Sequence, residues 1–327
     1  MKKHFAQSIK SLLLVLIFFT GLVSCKNQQN KKPKEETTTA ENAIKEPFFK
    51  LSLAQWSLSK PIHSGEMDPM DFAEKANEMG FDGIEYVSQL YTPILEKGGS
   101  SEVAMKNLLD SLKAKSERYN VKNILIMVDG EGDLATANEK ERNLSIENHK
   151  KWVDAAQFLE CHSIRVNLFG SNDEKIWKNN SIVALKKLGE YASTKGINIL
   201  VENHGNLTSN AELLVEVMDG VNLSNVGTLP DFGNFCVKRE DNKCTEEYPR
   251  YQGIEEMMPF AKAVSAKSYD FSNEGQETTM DYQKILKIVK DAGYTGFIGV
   301  EYEGQRLSAE EGIMATKKLL ITEGRKL

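Results

Sequence analysis

The chain has 327 residues, of which 40% are hydrophobic and 27% charged, and its formal net charge is −6. This composition is ordinary for a globular enzyme. An acidic chain without a basic stripe argues against nucleic acid as a substrate or partner.

The first 24 residues have the features of a signal peptide. Three lysines form a basic N-terminal region, and residues 12–19 form an apolar segment too short to span a bilayer as a helix. The next segment, Leu22-Val-Ser-Cys25, resembles a bacterial lipobox, which implies cleavage before Cys25 and attachment of a lipid to its sulfur. The alternative is an ordinary secretory signal followed by an incidental cysteine.

Residues 25–46 are rich in Lys, Glu, Gln, Asn and Thr, which predicts a disordered tether. Cleavage before Cys25 removes three lysines and no acidic residue, so the formal charge of the mature chain becomes −9. These features predict a protein of the cell envelope, on its periplasmic or surface side, that reaches the membrane only through a lipid on Cys25. Residues 47–327 then form one folded domain.

From residue 49 onward, apolar strand patterns alternate with amphipathic helix patterns. The predicted strands are residues 49–58, 81–87, 121–128, 163–169, 197–201, 226–231, 263–269 and 297–301. The predicted helices are residues 69–79, 101–119, 143–159, 181–195, 209–218, 254–262, 281–292 and 308–322. Strict alternation requires a parallel sheet, and eight units favour an α/β fold of the (β/α)8 TIM barrel type. The alternative is an open doubly wound sheet, which needs a Gly-rich turn after the first strand that this sequence lacks.

Three predicted strands end on an acidic residue, namely Glu202, Asp231 and Glu301. Each follows a largely apolar run, and burying an ionised carboxylate is costly unless it is paired or binds a metal. The C-terminal ends of barrel strands meet at one mouth, so we expect the three carboxylates to converge there. Such an oxygen cluster suits a hard divalent cation. The alternative is a set of structural ion pairs.

Other polar residues also lie at or near predicted strand ends, where barrel enzymes carry their sites. They are Gln55, Glu85, Asp129, Arg165, Asn167, His204, Asn234, Ser265, Lys267 and Glu303. Any one of them alone is equally consistent with a rim residue in water. His204 shares a strand face with Glu202, and we expect it beside the metal ligands rather than among them. Arg165 lies on a buried strand and needs an anionic partner, either Glu202 or a substrate oxygen.

Cys236 and Cys244 lie in one polar segment that we interpret as a loop. In an oxidising envelope compartment they can pair, because neither lies in an apolar run that would bury it. The alternative is two unrelated thiols.

Three segments resemble those of a known family: Glu202-Asn-His-Gly, Pro-Asp231-Phe-Gly-Asn234 and Gly-Val-Glu301-Tyr-Glu. They are similar to the sugar-phosphate isomerase/epimerase family, xylose-isomerase-like TIM barrels that include the ketose 3-epimerases. The resemblance extends over nearly the whole predicted domain. It implies a divalent metal (Mn, Co, Mg or Zn) held by side chains from strands five to eight.

The metal positions of the family fall on Glu202, Asp231, Ser265 and Glu301 in this sequence. The third is a departure, because family members commonly have histidine there and a serine hydroxyl is a poor replacement for imidazole. Either three carboxylates and water hold the metal, or His204 compensates, or the metal is weakly bound or lost.

The resemblance also implies the chemistry, which is removal of a proton next to a carbonyl through an enediolate. Glu202 and Glu301 are the predicted catalytic pair that exchanges protons with the two faces of the substrate. Lys267 matches the lysine of the His-x-Lys motif that family members commonly have, and it is the third predicted catalytic residue, able to carry charge that the metal otherwise would. The predicted substrate contacts are His204, Arg165, Glu85, Asn234 and Gln55.

The predicted substrate is an unphosphorylated sugar or keto-sugar, because sugar phosphates are scarce outside the cytoplasm and the sequence has no phosphate-binding Gly loop. We therefore expect an isomerase or epimerase. The same proton abstraction would also drive β-elimination from a 3-keto-glycoside by a lyase. A metal-dependent hydrolase is disfavoured, because such sites need many histidines. A non-catalytic sugar-binding lipoprotein is the remaining alternative, and Ser265 is its best support.

Overall fold

The structure, a computed structural model, describes residues 45–99 and 101–327. The predicted signal peptide, Cys25 and residues 25–44 of the predicted tether lie outside the described residues. Within the described ranges, no helix combines the length and the apolar character needed to cross a bilayer.

Ten strands are present in the described part of the chain, and eight of them form one parallel sheet. The strands are β1 (Lys50–Ala54), β2 (Gly83–Val87), β3 (Lys122–Met127), β4 (Ser163–Val166), β5 (Asn198–Glu202), β6 (Val226–Leu229), β7 (Cys236–Glu240), β8 (Lys243–Glu247), β9 (Val264–Ser268) and β10 (Phe297–Tyr302). Their order in the parallel sheet is β6-β5-β4-β3-β2-β1-β10-β9, while β7 and β8 form a separate hairpin.

The two edge strands of the parallel sheet, β6 and β9, meet and close it into a ring. Two isolated parallel bridges join them, one between Thr228 and Ala261 and the other between Asp231 and Ser265. The N–H of Ser265 donates to the carbonyl of Pro230 at 2.9 Å, and the N–H of Phe232 donates to the carbonyl of Ser265 at 3.0 Å. The predicted (β/α)8 TIM barrel is therefore confirmed.

Helices surround the barrel and connect its strands. They are α1 (Ser59–Ser64), α2 (Phe72–Glu78), α3 (Thr92–Lys97), α4 (Ser101–Arg118), α5 (Glu139–Phe158), α6 (Glu174–Ser193), α7 (Ala211–Val221), α8 (Arg250–Met257), α9 (Tyr282–Asp291) and α10 (Ala309–Lys326). The predicted starts of α5 and α6 were too late, because the first turn of α5 is polar and a polar run, residues 178–180, interrupts the apolar pattern of α6. Asn138 and Asp173 cap these helices by accepting hydrogen bonds from N–H groups of the first turn.

The first strand is shorter than predicted. It ends at Ala54, and Gln55–Leu58 form a 3-10 helix. The side-chain oxygen of Gln55 accepts the N–H of Val87 at 3.0 Å, and its amide group donates to the hydroxyl of Tyr91 at 2.8 Å. The side chain of Gln55 thus supplies contacts that fix the turn after β1.

Alternate residues of each barrel strand face either the helices or the barrel interior. On β5, Ile199 and Val201 pack in the outer core, whereas Leu200 packs in a smaller inner cluster. The strand residues of that inner cluster include Ala54, Val87, Leu125, Met127, Leu200 and Leu229. This apolar cluster shares the barrel interior with inward-facing polar residues, among them Glu85 and Arg165, and Glu202 ends β5 at the C-terminal side. The fold thereby places a polar site at the C-terminal mouth.

The segment with Cys236 and Cys244 is not the predicted loop but an antiparallel hairpin of β7 and β8. Asp241 and Asn242 connect the strands with positive φ values of 50° and 61°, as a two-residue type I′ turn requires. A disulfide joins Cys236 to Cys244. The hairpin begins two residues after Asn234, so it continues directly from the chain that forms the barrel mouth.

We expect loss of this disulfide to loosen the hairpin rather than the barrel, because every residue of β8 is exposed. Closing so short a loop stabilises it by about 2–3 kcal/mol in the chain-entropy description. The Cys236→Ser, Cys244→Ser variant should therefore speed amide exchange in residues 236–247 by roughly 30- to 160-fold. Hydrogen–deuterium exchange with mass spectrometry measures this, and reduced wild-type protein is the matched control. A fall in the unfolding midpoint of more than about 10 °C would contradict the prediction and make the hairpin part of the cooperative core.

Candidate active site

Three buried carboxylates converge at the mouth of the barrel. Glu202 ends β5, Asp231 follows β6, and Glu301 lies near the end of β10. One oxygen from each lies within 4.8 Å of the other two. Strand alternation explains this arrangement. Val201 and Val300 pack in the outer core, so the residues that follow them, Glu202 and Glu301, face the barrel interior. We call these three residues the carboxylate cluster.

Asp231 is fixed by hydrogen bonds on both its backbone and its side chain. The amide of Asn203 accepts the N–H of Asp231 at 2.7 Å and donates to its carbonyl at 3.0 Å. One carboxylate oxygen of Asp231 accepts the N–H groups of Gly233 and Asn234 at 2.8 and 2.9 Å. The other oxygen is left to face the cluster. Asn203 points away from Glu202 along the strand, so sequence analysis passed over it.

Ser265 lies between two members of the carboxylate cluster. Its hydroxyl oxygen is 2.8 Å from Oδ2 of Asp231 and 3.1 Å from Oε2 of Glu301, and the side chain is buried. A hydroxyl has a single hydrogen, so it donates to one of these oxygens at a time. The structure therefore brings residue 265 into the site, where it is a hydrogen-bond partner of the carboxylates.

Lys267 places an ammonium group beside the cluster. Its Nζ lies 3.2 Å from Oε1 of Glu301, 3.7 Å from Oδ2 of Asp231 and 3.1 Å from Oε1 of Glu303. Burial disfavours its charged form, but the surrounding carboxylates outweigh burial and raise the pKa of Lys267 well above its usual value. Lys267 is consequently a fixed positive charge.

Arg165 is the second fixed cation of the site. Its Nε lies 2.9 Å from Oε2 of Glu202, forming an ion pair, although this N–H is not aimed at the oxygen as in a hydrogen bond. Its NH1 donates to Oδ1 of Asp129 at 2.9 Å. The predicted anionic partner of Arg165 is thus Glu202, with Asp129 as another. Asn234 donates to the remaining oxygen of Glu202 at 3.1 Å, which fixes the orientation of that carboxylate.

Negative charge exceeds positive charge in this site. Burial raises the pKa of Glu202 to about 7 and that of Asp231 to about 8, even though Arg165 and Lys267 oppose the shifts. Counting Glu301, Glu303 and Asp129, five carboxyl groups surround two cations. A divalent cation would balance the excess and keep the acids ionised. The residues present therefore fit such an ion, with the carboxylate cluster as the donor set.

Glu85 lies inside the barrel in a different environment. The hydroxyl of Ser52 donates to its Oε1 at 2.6 Å, while its Oε2 has no hydrogen-bond partner among the described residues. Burial raises the pKa of Glu85 to about 8. Its carboxyl group packs against Gly299, where an added Cβ would lie 2.6 Å from both oxygens. Only glycine at position 299 leaves room for it.

Two other predicted site residues, His204 and Gln55, bond residues outside the carboxylate cluster. His204 lies outside the carboxylate cluster, and its Nδ1 is 2.8 Å from Oδ1 of Asn167. Gln55 is buried, but its amide contacts Val87, Tyr91 and Pro69 rather than the cluster. Both ends of the Gln55 amide are therefore engaged by neighbouring residues, and a role for Gln55 in binding substrate stays a prediction.

The fold and the site define a TIM barrel with an acidic cluster at its C-terminal mouth. Residues 73–321 match the Xylose isomerase-like TIM barrel family, and the chain belongs to this family. No curated protein matches the sequence.

Several solved structures share the fold. A D-tagatose 3-epimerase-like protein is 20% identical, with 84% of this chain and 97% of that chain covered and a TM-score of 0.62. The IOLI protein with a bound zinc atom is 18% identical, with 85% and 99% covered and a TM-score of 0.65. A 3-keto-D-glucoside 4-epimerase from E. coli is 14% identical, with 78% and 94% covered and a TM-score of 0.61. At these identities the likeness establishes the fold.

The metal-free protein should lose stability as the pH rises from about 5 to 8. The buried acids Glu85, Glu202 and Asp231 keep protons that the unfolded chain releases above about pH 4, because their pKa values are raised on folding. The folded state then binds more protons than the unfolded state, so raising the pH favours unfolding. Urea unfolding after treatment with a chelator measures this.

Asp231→Asn is the matched variant for this pH experiment, because it removes one of the three acids and should flatten the pH dependence. Adding Mn²⁺ to the wild-type protein should restore stability most at the higher pH, where binding no longer competes with protons. Stability that rises with pH across this range in the metal-free protein would contradict the assignment of raised pKa values.

Proposed function

We propose that the protein is a divalent-metal-dependent isomerase or epimerase of an unphosphorylated sugar or keto-sugar. The observation that carries the proposal is the carboxylate cluster, three buried acids with one oxygen each within 4.8 Å. Membership of the Xylose isomerase-like TIM barrel family supports it. The zinc in the IOLI protein supports a divalent ion, and the two epimerase-type relatives support a sugar substrate.

The carboxylate cluster would hold the metal through Glu202, Asp231 and Glu301. When bound, such an ion supplies Lewis-acid stabilisation of negative charge on substrate oxygens. Glu202 and Glu301 come from β5 and β10, which are separated in the ring by β6 and β9. Carboxylates on two sides of a sugar carbon can remove a proton from one face and return it to the other, which inverts the configuration there.

Lys267 and Arg165 have different parts in this scheme. The Lys267 ammonium lies 3.2 Å from Glu301 and adds a fixed positive charge where an enediolate would develop. Arg165 pairs with Glu202 and Asn234 donates to it, so the carboxylate is held in one orientation. Both arrangements exist before substrate binds, which lowers the reorganisation needed during the reaction.

A cavity beside the mouth favours a neutral substrate. It has a volume of about 1300 Å³, and its lining includes Trp56, His63 and Glu303. Seven acidic side chains line it against two lysines, so a phosphorylated sugar would be repelled. Trp56 packs on the inner cluster and offers an apolar ring of the kind on which sugars pack. An unphosphorylated substrate also fits the location that we propose, the cell envelope, where a lipid on Cys25 would anchor the protein.

The same cavity favours one second candidate, a lyase or epimerase that acts on a keto-glycoside. Glu303 lines the cavity and also contacts Lys267, so the cavity adjoins the carboxylate cluster. A second sugar unit attached to the reacting one has space there. In the lyase reaction, removal of a proton next to the carbonyl expels the attached group as an alkoxide, which takes up a proton.

Metal content and proton exchange test the proposed function together. We expect about one Mn, Co, Mg or Zn per wild-type chain, and none in the Glu202→Gln, Glu301→Gln variant, because two of the three ligand carboxylates are lost. With a suitable keto-sugar in D₂O, the wild type should place deuterium on carbon, and Glu202→Gln should slow this by about 10²- to 10⁴-fold. Elemental analysis and NMR measure the two quantities.

Glu303→Gln is the matched control for metal content, since Glu303 contacts Lys267 but lies outside the carboxylate cluster. It should keep the metal. A metal-free wild type, even after Mn²⁺ is added, would refute the metal-dependent mechanism. It would leave a non-catalytic sugar-binding protein, or chemistry that uses Lys267, as the explanation.

Replacing Ser265 tests how the metal is held without the histidine of the family pattern. Ser265→Ala removes one hydroxyl from Asp231 and Glu301 but leaves all three carboxylates. We expect Mn²⁺ affinity to fall by less than about tenfold, the equivalent of one hydrogen bond. Glu301→Gln should reduce it far more. Titration calorimetry compares the two variants, and equal losses would make Ser265 a metal ligand.

A further inference from the structure

A chain of hydrogen bonds leads to His204 from outside the carboxylate cluster. Asp129 accepts a hydrogen bond from Nδ2 of Asn167 at 2.6 Å. Oδ1 of Asn167 lies 2.8 Å from Nδ1 of His204. The backbone of His204 is fixed as well, because its N–H donates to the hydroxyl of Thr208 at 2.9 Å. Asn167 thus holds the ring of His204, and Thr208 holds its main chain.

Donor and acceptor chemistry sets the direction of each hydrogen bond in the series from Asp129 through Asn167 to His204. Asp129 is paired with Arg165 at 2.9 Å, so its carboxylate only accepts. Asn167 must therefore turn its NH₂ group toward Asp129, and its carbonyl oxygen faces His204. That oxygen only accepts, so Nδ1 of His204 carries the hydrogen. The opposite amide orientation would place a carbonyl oxygen against a carboxylate.

A neutral imidazole with its hydrogen on Nδ1 has a lone pair on Nε2. Among the described residues, the ring of His204 makes its hydrogen bond through Nδ1 alone. His204 lies two residues beyond Glu202, in the loop that follows β5, and its ring lies 6.0 Å from that of Phe169. Nε2 is therefore the acceptor that this part of the site leaves for a ligand.

We propose that Asn167, oriented by Asp129, is a positioning residue that holds His204 in the Nδ1–H form so that Nε2 accepts a hydrogen bond from a substrate hydroxyl. The identity of that hydroxyl as part of a sugar rests on the proposed function. This arrangement favours a substrate group that donates a hydrogen bond. A carbonyl or ether oxygen at the same position cannot donate and would face the lone pair on Nε2. It is a specificity device distinct from the carboxylate cluster.

Nitrogen-15 NMR of histidine-labelled protein tests the tautomer directly. His204→Gln identifies the His204 signals by their loss. We expect a protonated Nδ1 and an unprotonated Nε2 in the wild type. Asn167→Leu removes the acceptor, so the two tautomers should become mixed.

Asn225→Leu is the matched control, because it removes another partly buried amide, one that bonds only the backbone carbonyls of Gly189 and Ile197. It should leave the His204 signals unchanged. A hydrogen on Nε2 in the wild type, or an unchanged tautomer in Asn167→Leu, would overturn the proposal. This readout needs neither metal nor turnover, so it stands or falls separately from the proposed function.

Sugar binding supplies the second readout, with D-tagatose as the probe. In the wild type, D-tagatose should shift the Nε2 signal of His204, and in Asn167→Leu this shift should be lost. With a keto-sugar that undergoes exchange, Asn167→Leu should raise KM by roughly 10- to 100-fold with little change in kcat. Loss of kcat at constant KM would overturn the binding role. An unmoved Nε2 signal under D-tagatose concentrations that saturate the wild type would do so as well.

Discussion

The cost of removing carboxylates from water governs the mouth of this barrel. Glu202, Asp231 and Glu301 are all buried, and an ionised acid is tolerated there only with a compensating charge or hydrogen bond. Arg165 and Lys267 supply the charges, while neighbouring amides and a hydroxyl supply the hydrogen bonds. Because two cations do not balance the acids, the carboxyl groups either keep protons or need the charge of a divalent ion.

The barrel handles buried acids in two ways. Around Glu202 it uses ion pairing, with Arg165 at 2.9 Å. For Glu85, deeper in the barrel, it uses protonation, because Ser52 is its hydrogen-bond partner and burial raises its pKa to about 8. A neutral Glu85 adds no negative charge to the mouth. The two solutions coexist because Gly299 gives Glu85 space below the cluster.

Sequence patterns predicted the barrel and the convergence of its acids because both follow from short-range rules. Alternation of strand and helix sets the topology, and strand parity sets which side chains face inward. The patterns failed where side chains act over a distance. They did not predict that the amide of Gln55 bonds Tyr91, 36 residues away. Asn203 was missed because parity pointed it outward, although from there it bonds the backbone of Asp231. The β7–β8 hairpin was missed because its strands are polar and exposed.

The closure of the barrel has a mechanical consequence. Seven of the eight seams in the ring are joined by regular strand ladders, whereas β6 and β9 are joined through isolated bridges. One of these bridges pairs Asp231 with Ser265, so the carboxylate cluster lies across the one seam of the described barrel that has no regular ladder. An ion held by Glu202, Asp231 and Glu301 would act as a latch across that seam. Metal binding would then stabilise the contact between β6 and β9. In the metal-free protein, local opening of the barrel would begin at this contact.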